Sequence, residues 1–282
     1  MRSVLLLTLL SVGISWGRAP LASASSGELK VLTYNVAGLP DGFSTDHPSR
    51  NMGLIGQHFA GYDLVLVQED FAYSAALRQA LTLPHQSAPF VRGSRLNFGD
   101  GLSQFAIGDF AELHREPWQA CYGIVDSYLD CLTPKGFTVS RQTLAPGVSI
   151  DVYNVHLDAG GGPGDRAARE EQIEQLSLAI QHGSAGSAVL LAGDTNIRSG
   201  QRSLLQRLEQ RTGLADVCGA MHCAEPQRID RIFVRDSARF HWAVRSWSID
   251  QRFVDAAGQP LSDHLAVAAE LAWSTSDAPA TR

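Results

Sequence analysis

The chain has 282 residues, a hydrophobic content of 44%, a charged content of 18% and a formal net charge of -6 at pH 7. This composition is that of an ordinary globular protein, with a length sufficient for one large domain or two small ones. The acidic balance excludes a protein that holds nucleic acid by charge alone, but it does not exclude a nucleic-acid substrate at a metal-bearing site.

The first 24 residues have the pattern of a secretory signal peptide. Arg2 precedes an apolar run at residues 4–10, and Ala22-Ser23-Ala24 matches the A-x-A cleavage pattern. The run is short and broken by Ser and Gly, which argues against a membrane anchor. We therefore predict cleavage after Ala24 and a secreted or periplasmic mature chain without a transmembrane segment. Loss of Arg2 and Arg18 changes the formal charge from -6 to -8.

The sequence pattern after residue 24 predicts many strands and a few amphipathic helices. Ser49 and Asp165 are expected to cap the first and third helices. The predicted strands, in chain order, are residues 29–35, 63–69, 102–110, 137–142, 148–157, 188–192, 228–234, 240–248 and 265–271. The predicted helices are residues 49–60, 73–81, 165–181 and 201–212.

Two packed sheets covered by helices would satisfy this pattern of elements. We expect one domain over residues 25–282, with its core at about residues 29–272. The polar tail from Ser274 is predicted to be disordered.

The strand at residues 188–192 is apolar throughout and runs directly into Gly193-Asp194-Thr195-Asn196. Such a run is typical of a strand that is buried on both faces. Residues i and i+2 of a strand point to the same side, so Asp194 and Asn196 can face one point. A carboxylate and an amide at the rim of a buried sheet suit a divalent metal and a phosphate.

Five other strand ends carry polar side chains of the same kinds. With no Cys or Ser nucleophile in view, six such ends indicate one shared metal-dependent site. Oxygen ligands favour Mg²⁺, with Mn²⁺ as the alternative, over Zn²⁺. The other strand-end residues are Asn35, Glu69, His156 with Asp158, Asp230, and Asp263 with His264.

The motifs at these ends, taken in order, resemble those of the endonuclease/exonuclease/phosphatase superfamily. That superfamily includes deoxyribonuclease I, apurinic endonucleases, neutral sphingomyelinases and inositol-polyphosphate 5-phosphatases. The resemblance covers residues 29–272 and implies an α/β protein with a four-layer α/β/β/α sandwich. The motifs are Thr33-Tyr34-Asn35-Val36, Val67-Gln68-Glu69, Asn154-Val155-His156-Leu157, Gly193-Asp194-Thr195-Asn196, Ile229-Asp230-Arg231-Ile232-Phe233 and Ser262-Asp263-His264.

The resemblance implies a metal centre with Glu69 as the principal ligand. Asn35 would help to hold the metal or a water, and Asp263 would reach the metal directly or through water. Asp194 resembles the residue that orients or deprotonates the attacking water, and Asn196 resembles the residue that binds the scissile phosphate.

Two histidines also match the superfamily pattern. His264 would form a dyad with Asp230, which fixes the imidazole tautomer and raises its basicity. Whether His264 is a base or a phosphate ligand is left open by the sequence. His156 resembles a phosphate ligand or leaving-group acid, and no acidic partner is assigned to it.

Several other residues keep alternative interpretations. Asp158 either belongs to the site or starts the glycine-rich loop that follows, and Arg231 is either a surface residue or a site residue. The segment from Asp130 to Gly136 resembles one in sphingomyelinase-like members, which would place Lys135 near the site without a catalytic role.

Four cysteines are present in a chain predicted to be exported. Local pairing, Cys121 with Cys131 and Cys218 with Cys223, is the simplest of three arrangements. A zinc site is disfavoured because the spacings are not CxxC.

The sequence specifies the reaction better than the substrate. We expect a magnesium-dependent phosphodiesterase that acts as a monomer on a phosphoester substrate, with no obligate protein partner. A sphingomyelinase-like lipid phosphodiesterase is favoured by Gln68-Glu69-Asp70-Phe71 and by the Asp130–Gly136 segment. A secreted nuclease and an inositol-phosphate phosphatase are the alternatives, and a non-catalytic domain is disfavoured because the site residues are present.

Overall fold

The computed structural model describes residues 24–43, 47–90, 99–123, 127–223 and 228–276. The predicted signal peptide, apart from Ala24, lies outside the described residues, as do residues 277–282 of the predicted tail. Within the described part of the chain, no helix is long and apolar enough to cross a membrane.

Twelve strands form two six-stranded sheets in the described residues. The first sheet has the order β11-β12-β1-β2-β4-β3, and the second has the order β5-β6-β7-β8-β10-β9. The strands are β1 Ser26–Asn35, β2 Leu64–Gln68, β3 His85–Gln86, β4 Ser103–Ala106, β5 Phe110–Pro117, β6 Gly136–Ala145, β7 Val148–His156, β8 Val189–Asp194, β9 Ala215–Asp216, β10 Asp230–Arg235, β11 Phe240–Ile249 and β12 Val267–Thr275.

Helices cover the outer face of each sheet, and two 3₁₀ turns connect elements at Ser127–Leu132 and Ser199–Gln201. The helices are α1 Pro48–His58, α2 Ser74–Gln79, α3 Pro163–Gly183, α4 Arg202–Thr212 and α5 Val217–Ala220.

Three apolar clusters separate four layers. Because side chains alternate along a strand, Leu64 and Leu66 of β2 face the second sheet, whereas Val65 and Val67 face α1 and α2. The second sheet repeats this pattern, with Leu190 of β8 in the cluster between the sheets and its neighbours in the cluster beneath α3 and α4. The predicted α/β/β/α sandwich is confirmed.

The inner stripe of α3 is also as predicted, since Ile173, Leu176 and Ile180 are buried. The helix caps are not. Helix α3 begins at Pro163, and Gly162 is its N-cap. Asp165 is the third helical residue, and its carboxylate accepts a hydrogen bond of 2.7 Å from the Gly162 amide. Helix α1 begins at Pro48, before Ser49.

One predicted strand and the predicted disordered tail also needed correction. Residues 102–110 are not one strand, because the chain passes there from β4 in the first sheet to β5 in the second. The prediction of disorder from Ser274 was wrong at its start, since Ser274 pairs with Ser26 and β12 continues to Thr275. Antiparallel pairing with β1 explains this extension.

One parallel pair lies at the centre of each sheet: β1 with β2, and β7 with β8. The carboxyl ends of parallel strands meet at the same edge of a sheet. Asn35 and the residue after Gln68 therefore meet in the first sheet, and His156 and Asp194 meet in the second. Strand β10 is antiparallel to β8 and places its first residue, Asp230, directly opposite Asp194.

Candidate active site

Four side chains converge on one carboxylate oxygen, Asp194 Oδ2. Asn196 Nδ2 lies 3.1 Å from it, Asn35 Nδ2 lies 3.2 Å away, His156 Nε2 lies 3.5 Å away and His264 Nε2 lies 3.8 Å away. These four residues come from different strand ends and loops of both sheets, and all of them were predicted to share a site. The carboxylate of Asp194 is 1% exposed, so these side chains supply most of its contacts, yet it also lines the cleft.

The backbone at this point permits an unusually close approach of two strands. Gly193 has φ +148°, and a Cβ there would lie 2.0 Å from the carbonyl oxygen of Val155 on β7. Only glycine fits such a position, which explains the Gly before Asp194. Glu69 and Asn196 also have positive φ, at +59° and +50°. Strained backbone of this kind is concentrated at functional sites in proteins.

Asn35 links the two sheets through their carboxylates. Its Nδ2 donates to Glu69 Oε1 at 3.0 Å as well as to Asp194, and its Oδ1 accepts a hydrogen bond from the Ala37 amide at 3.0 Å. Burial raises the pKa of both Glu69 and Asp194, against the opposing effects of Lys135 and His264. The carboxylates of Glu69 and Asp194, the first 20% exposed and the second buried, favour a cation bound beside them.

Asp230 and His264 form the predicted pair. His264 Nδ1 lies 3.0 and 3.2 Å from the two oxygens of the Asp230 carboxylate. Burial disfavours the imidazolium, but the charges of Asp230 and Asp194 outweigh it and raise the pKa of His264 to about 10. Asp194, Asp230 and His264 each offer an atom within 4.8 Å of the others, a spacing that a metal ion could also use.

His156 is fully buried, and within the described residues neither of its ring nitrogens has a hydrogen-bond partner. Its Nε2 lies 3.8 Å from Glu69 Oε1 in addition to its contact with Asp194. Burial, followed by the charges of Lys135 and His264, lowers its pKa well below the usual value, so the imidazole is neutral. A neutral imidazole whose ring nitrogens have no hydrogen-bond partner can form a hydrogen bond with a ligand bound beside the two carboxylates.

Asp263 lies at the rim of the cleft rather than in this cluster. Its side chain is exposed, it lines the same cleft as Glu69 and Asp194, and its charge helps to raise the pKa of His264. The cleft has a volume of about 470 Å³, and the apolar residues Leu39, Phe43 and Phe71 form one side of its lining.

Lys135 is more central than the sequence indicated. It is 8% exposed, lines the cleft and forms an ion pair with the buried carboxylate of Asp130. Asp130 Oδ2 in turn accepts a hydrogen bond from the Ala159 amide at 2.6 Å, in the loop after His156. Lys135 thereby supplies a fixed positive charge beside the carboxylates. The only sequence signal for it was the resemblance of its segment to sphingomyelinase-like members.

Asp158, Arg231 and the cysteines lie outside this cluster. Asp158 is buried and accepts hydrogen bonds from the Tyr122 amide and from Gln172, both at 2.7 Å, so it anchors the glycine-rich loop outside the cleft lining. Arg231 is 5% exposed and paired with Asp216, so it is not a surface residue. Both predicted disulfides, Cys121–Cys131 and Cys218–Cys223, are present.

The model of the endonuclease/exonuclease/phosphatase family matches residues 32–264. The chain belongs to this family. Endonucleases, exonucleases and phosphatases are hydrolases of phosphate esters, as the motifs predicted. The matched range includes every residue of the site described above.

Among curated proteins, the chain is similar to a sphingomyelinase of Mycobacterium tuberculosis. The two are 33% identical over 261 residues, which cover 85% of this chain and 51% of that protein. The chain therefore spans about half the length of the curated relatives it matches.

Solved structures agree on the fold. A beta toxin variant from Staphylococcus aureus with bound magnesium ions has a TM-score of 0.65 and 18% identity, covering 86% of this chain and 99% of that one. The TDP2 protein of D. rerio in complex with a single-stranded DNA product has a TM-score of 0.68 and 16% identity, covering 86% and 98%.

Proposed function

We propose that this protein is a secreted, magnesium-dependent phosphodiesterase that cleaves the headgroup phosphodiester of a phospholipid, with sphingomyelin as the first substrate to test. The observation that carries the chemistry is the convergence of Asn35, His156, Asn196 and His264 on Asp194. The observation that favours the lipid is the 33% identity to proteins named sphingomyelinase.

The donor set fits a divalent cation bound by oxygen. Glu69 would be its principal ligand, with Asp263 reaching it from the rim, because their carboxylates are hard oxygen donors and both line the cleft. Asn35 orients the carboxylates of Glu69 and Asp194 by donating hydrogen bonds to both. Bound Mg²⁺, or Mn²⁺ in its place, would offset the phosphate charge and make water more acidic.

The side chains around the metal have separate roles in this proposal. Asp194 orients and deprotonates the attacking water, and Asn196 donates to a phosphate oxygen from a strained backbone that holds it in place. His156 enters as a neutral group and binds phosphate or transfers a proton to the leaving oxygen. Asp230 keeps His264 protonated, so His264 acts as a charged donor to phosphate rather than as a base.

An apolar rim around the cleft supports a lipid substrate. Phe43 lines the cleft and is 74% exposed. Leu265 follows His264 and Leu132 precedes Thr133, which also lines the cleft, and these leucines are 41% and 53% exposed. Exposed apolar groups gathered at the mouth of a site suit a lipid interface.

A nuclease is the second candidate. Its support is the similarity of the fold to a protein solved with single-stranded DNA. At 16% identity that similarity concerns the fold alone, and the net charge of -6 does not favour a DNA backbone.

The deciding experiment is a substrate panel with Mg²⁺, then with EDTA, then with Mg²⁺ restored. Sphingomyelin vesicles, plasmid DNA, RNA, bis-p-nitrophenyl phosphate and inositol phosphates are compared side by side. We expect phosphocholine release that EDTA abolishes and Mg²⁺ restores. Nicking of DNA without phosphocholine release would refute the lipid assignment, and no turnover of any compound would refute the enzyme.

A matched pair of variants tests the apolar rim. Phe43→Ser should reduce turnover of sphingomyelin in vesicles while leaving turnover of soluble bis-p-nitrophenyl phosphate unchanged, because only the former requires contact with a bilayer. Val254→Ser is the control, since Val254 is also exposed but does not line the cleft. Equal vesicle activity in both variants would show that the rim has no part in lipid binding.

Export also belongs to the proposal. The disulfides support it, because such bonds persist in oxidising compartments and are rare in the cytosol. N-terminal sequencing of the protein recovered outside the cytoplasm should begin at Ser25, and recovery of the intact chain in the cytoplasm would contradict export.

A further inference from the structure

A second cleft of about 470 Å³ lies between α4, α5 and the start of β10. We call it the arginine pocket. Among the described residues, its lining includes four arginines, Arg198, Arg202, Arg228 and Arg231, and two carboxylates, those of Glu209 and Asp216. This excess of positive charge is unusual in a chain whose net charge is -6.

The inner wall of the arginine pocket is built from buried groups. Arg231 donates from Nη1 to Asp216 Oδ2 at 2.9 Å and from Nη2 to the carbonyl oxygen of Arg228 at 2.9 Å. Arg228 donates to the same oxygen of Asp216 and lies over the ring of Trp247, 5.7 Å from its centroid. Two buried guanidinium groups therefore share a single carboxylate oxygen.

One donor in this wall has no acceptor. Within the described residues, Nε of Arg231 is buried without a hydrogen-bond partner, in a side chain that is only 6% exposed. Buried charged donors are normally satisfied, so among the described residues this wall carries more donor capacity than its shared carboxylate accepts. Arg202 and Arg198 are exposed at the mouth and complete the ring of donors.

The arginine pocket adjoins the catalytic cleft. Arg198 lines both, and Ile229, which follows Arg228 in the chain, lines the catalytic cleft. An anion in the arginine pocket would therefore lie beside the substrate without contacting Asp194 or His264, which are not part of this lining.

We propose that the arginine pocket binds a phosphate-class anion, at a site distinct from the one where the scissile phosphate is held. Guanidinium groups arranged around a concavity match tetrahedral oxyanions, to which each can donate two hydrogen bonds. The ligand is either free phosphate or the phosphate of an anionic lipid headgroup. The inference does not depend on the proposed lipid phosphodiesterase activity.

The test is a titration of the full-length mature protein with inorganic phosphate in EDTA at constant ionic strength, followed by calorimetry and by Tm. Arg202→Gln is compared with Arg207→Gln, an exposed arginine of the same helix that does not line the pocket. We expect Arg202→Gln and Arg228→Gln to weaken phosphate binding about tenfold, the loss associated with one charge-assisted hydrogen bond. Arg207→Gln should bind as the wild type does.

His264→Ala separates the two sites, because it alters the catalytic cleft and leaves the arginine pocket intact. Phosphate binding that survives His264→Ala and is weakened by Arg202→Gln supports the proposal. Binding abolished by His264→Ala alone, or equal in Arg202→Gln and Arg207→Gln, overturns it. Arg202 is exposed, so this comparison holds even if Arg228→Gln fails to fold.

Vesicles distinguish the two sources of the anion. Co-sedimentation is measured with phosphatidylcholine vesicles that contain or lack phosphatidylglycerol. Preferential binding to the anionic vesicles that Arg202→Gln loses and Arg207→Gln keeps assigns the pocket to lipid headgroups. Equal sedimentation of both variants, with the difference in phosphate titration retained, assigns it to free phosphate.

Discussion

The catalytic cleft and the arginine pocket adjoin each other, but carboxylates dominate the first and guanidinium groups dominate the second. In the cleft, burial raises the pKa of Glu69 and Asp194, although the charges of Lys135 and His264 act in the opposite direction. In the arginine pocket, burial and the charge of Arg228 lower the pKa of Arg231 to about 10, because two guanidiniums share one carboxylate. Each site is thus incomplete in the charge that its proposed ligand would bring, a cation in one and an anion in the other.

This comparison explains how an acidic protein can handle phosphate. In the cleft, Lys135 and His264 supply positive charge beside the carboxylates, and a bound cation would supply the rest that a phosphate requires. The arginine pocket can neutralise one with its own side chains. Removing a carboxylate from the catalytic cleft should therefore weaken metal binding there. Removing an arginine from the arginine pocket should weaken phosphate binding there.

The largest effect is expected from His264→Ala. Loss of a protonated imidazole that contacts both Asp230 and Asp194 should lower kcat by about 10²- to 10³-fold, the cost of removing one donor that stabilises charge in the transition state. The measurement is steady-state turnover of bis-p-nitrophenyl phosphate with saturating Mg²⁺. His241→Ala is the control, because His241 is exposed and pairs with Asp236 at a distant strand.

A wild-type rate in His264→Ala would mean that the pair of Asp230 and His264 has no catalytic role. Equal losses in both histidine variants would instead indicate a general loss of folded protein, which circular dichroism detects.

The second effect concerns stability at the edge of the catalytic cleft. Lys135→Met leaves the carboxylate of Asp130 buried without its ion-pair partner, and breaking such a pair typically costs about 3–5 kcal/mol. Denaturant unfolding in EDTA measures the change. The double variant Asp130→Asn/Lys135→Met should recover most of the loss, because the stranded charge is removed as well. A single and a double variant of equal stability would show that Lys135 acts through packing alone.

These two predictions also show what the sequence could and could not supply. Asp194, Asn196, Asp230 and His264 were identifiable because each lies at or next to one end of a predicted strand, and the parallel pair β7 and β8 brings two such ends to one edge. The position of Lys135 was only suggested, because it depends on how an irregular segment closed by a disulfide folds back onto the loop after His156.

The arginine pocket could not be predicted from the sequence. Arg228 and Arg231 are 12 and 15 residues from Asp216 in the chain, and no periodic pattern links them. Their burial follows from tertiary packing of α5 against β10, which alternation along a single strand does not reveal. The division of residues 102–110 between two sheets escaped prediction for the same reason, since strand propensity does not specify which sheet a strand joins.

The third prediction concerns the arginine pocket. Asp216→Asn removes the carboxylate shared by Arg228 and Arg231, and loss of that negative charge beside two buried guanidinium groups should destabilise the protein by about 3 kcal/mol. Asn can still accept the hydrogen bond from the Cys218 amide that Asp216 Oδ1 accepts at 3.0 Å, so the change isolates charge. Inorganic phosphate should raise the Tm of Asp216→Asn more than that of the wild type, and should not rescue Lys135→Met. Equal phosphate effects on all three proteins would contradict the contrast between the two regions.

The smallest effects should come from the disulfides, one of which lies in each region. Cys121 and Cys131 are 10 residues apart and hold the segment that carries Asp130, whereas Cys218 and Cys223 are 5 residues apart and line the arginine pocket. Replacing either pair with serine should cost about 2–3 kcal/mol, with the larger loss for the longer loop, because a longer closed loop restricts the unfolded chain more. Denaturant unfolding measures both losses. Removal of Cys121–Cys131 should lower catalytic turnover and leave phosphate binding intact, and removal of Cys218–Cys223 should do the reverse. If either replacement impaired turnover and phosphate binding together, the cleft and the arginine pocket would have to be treated as one site.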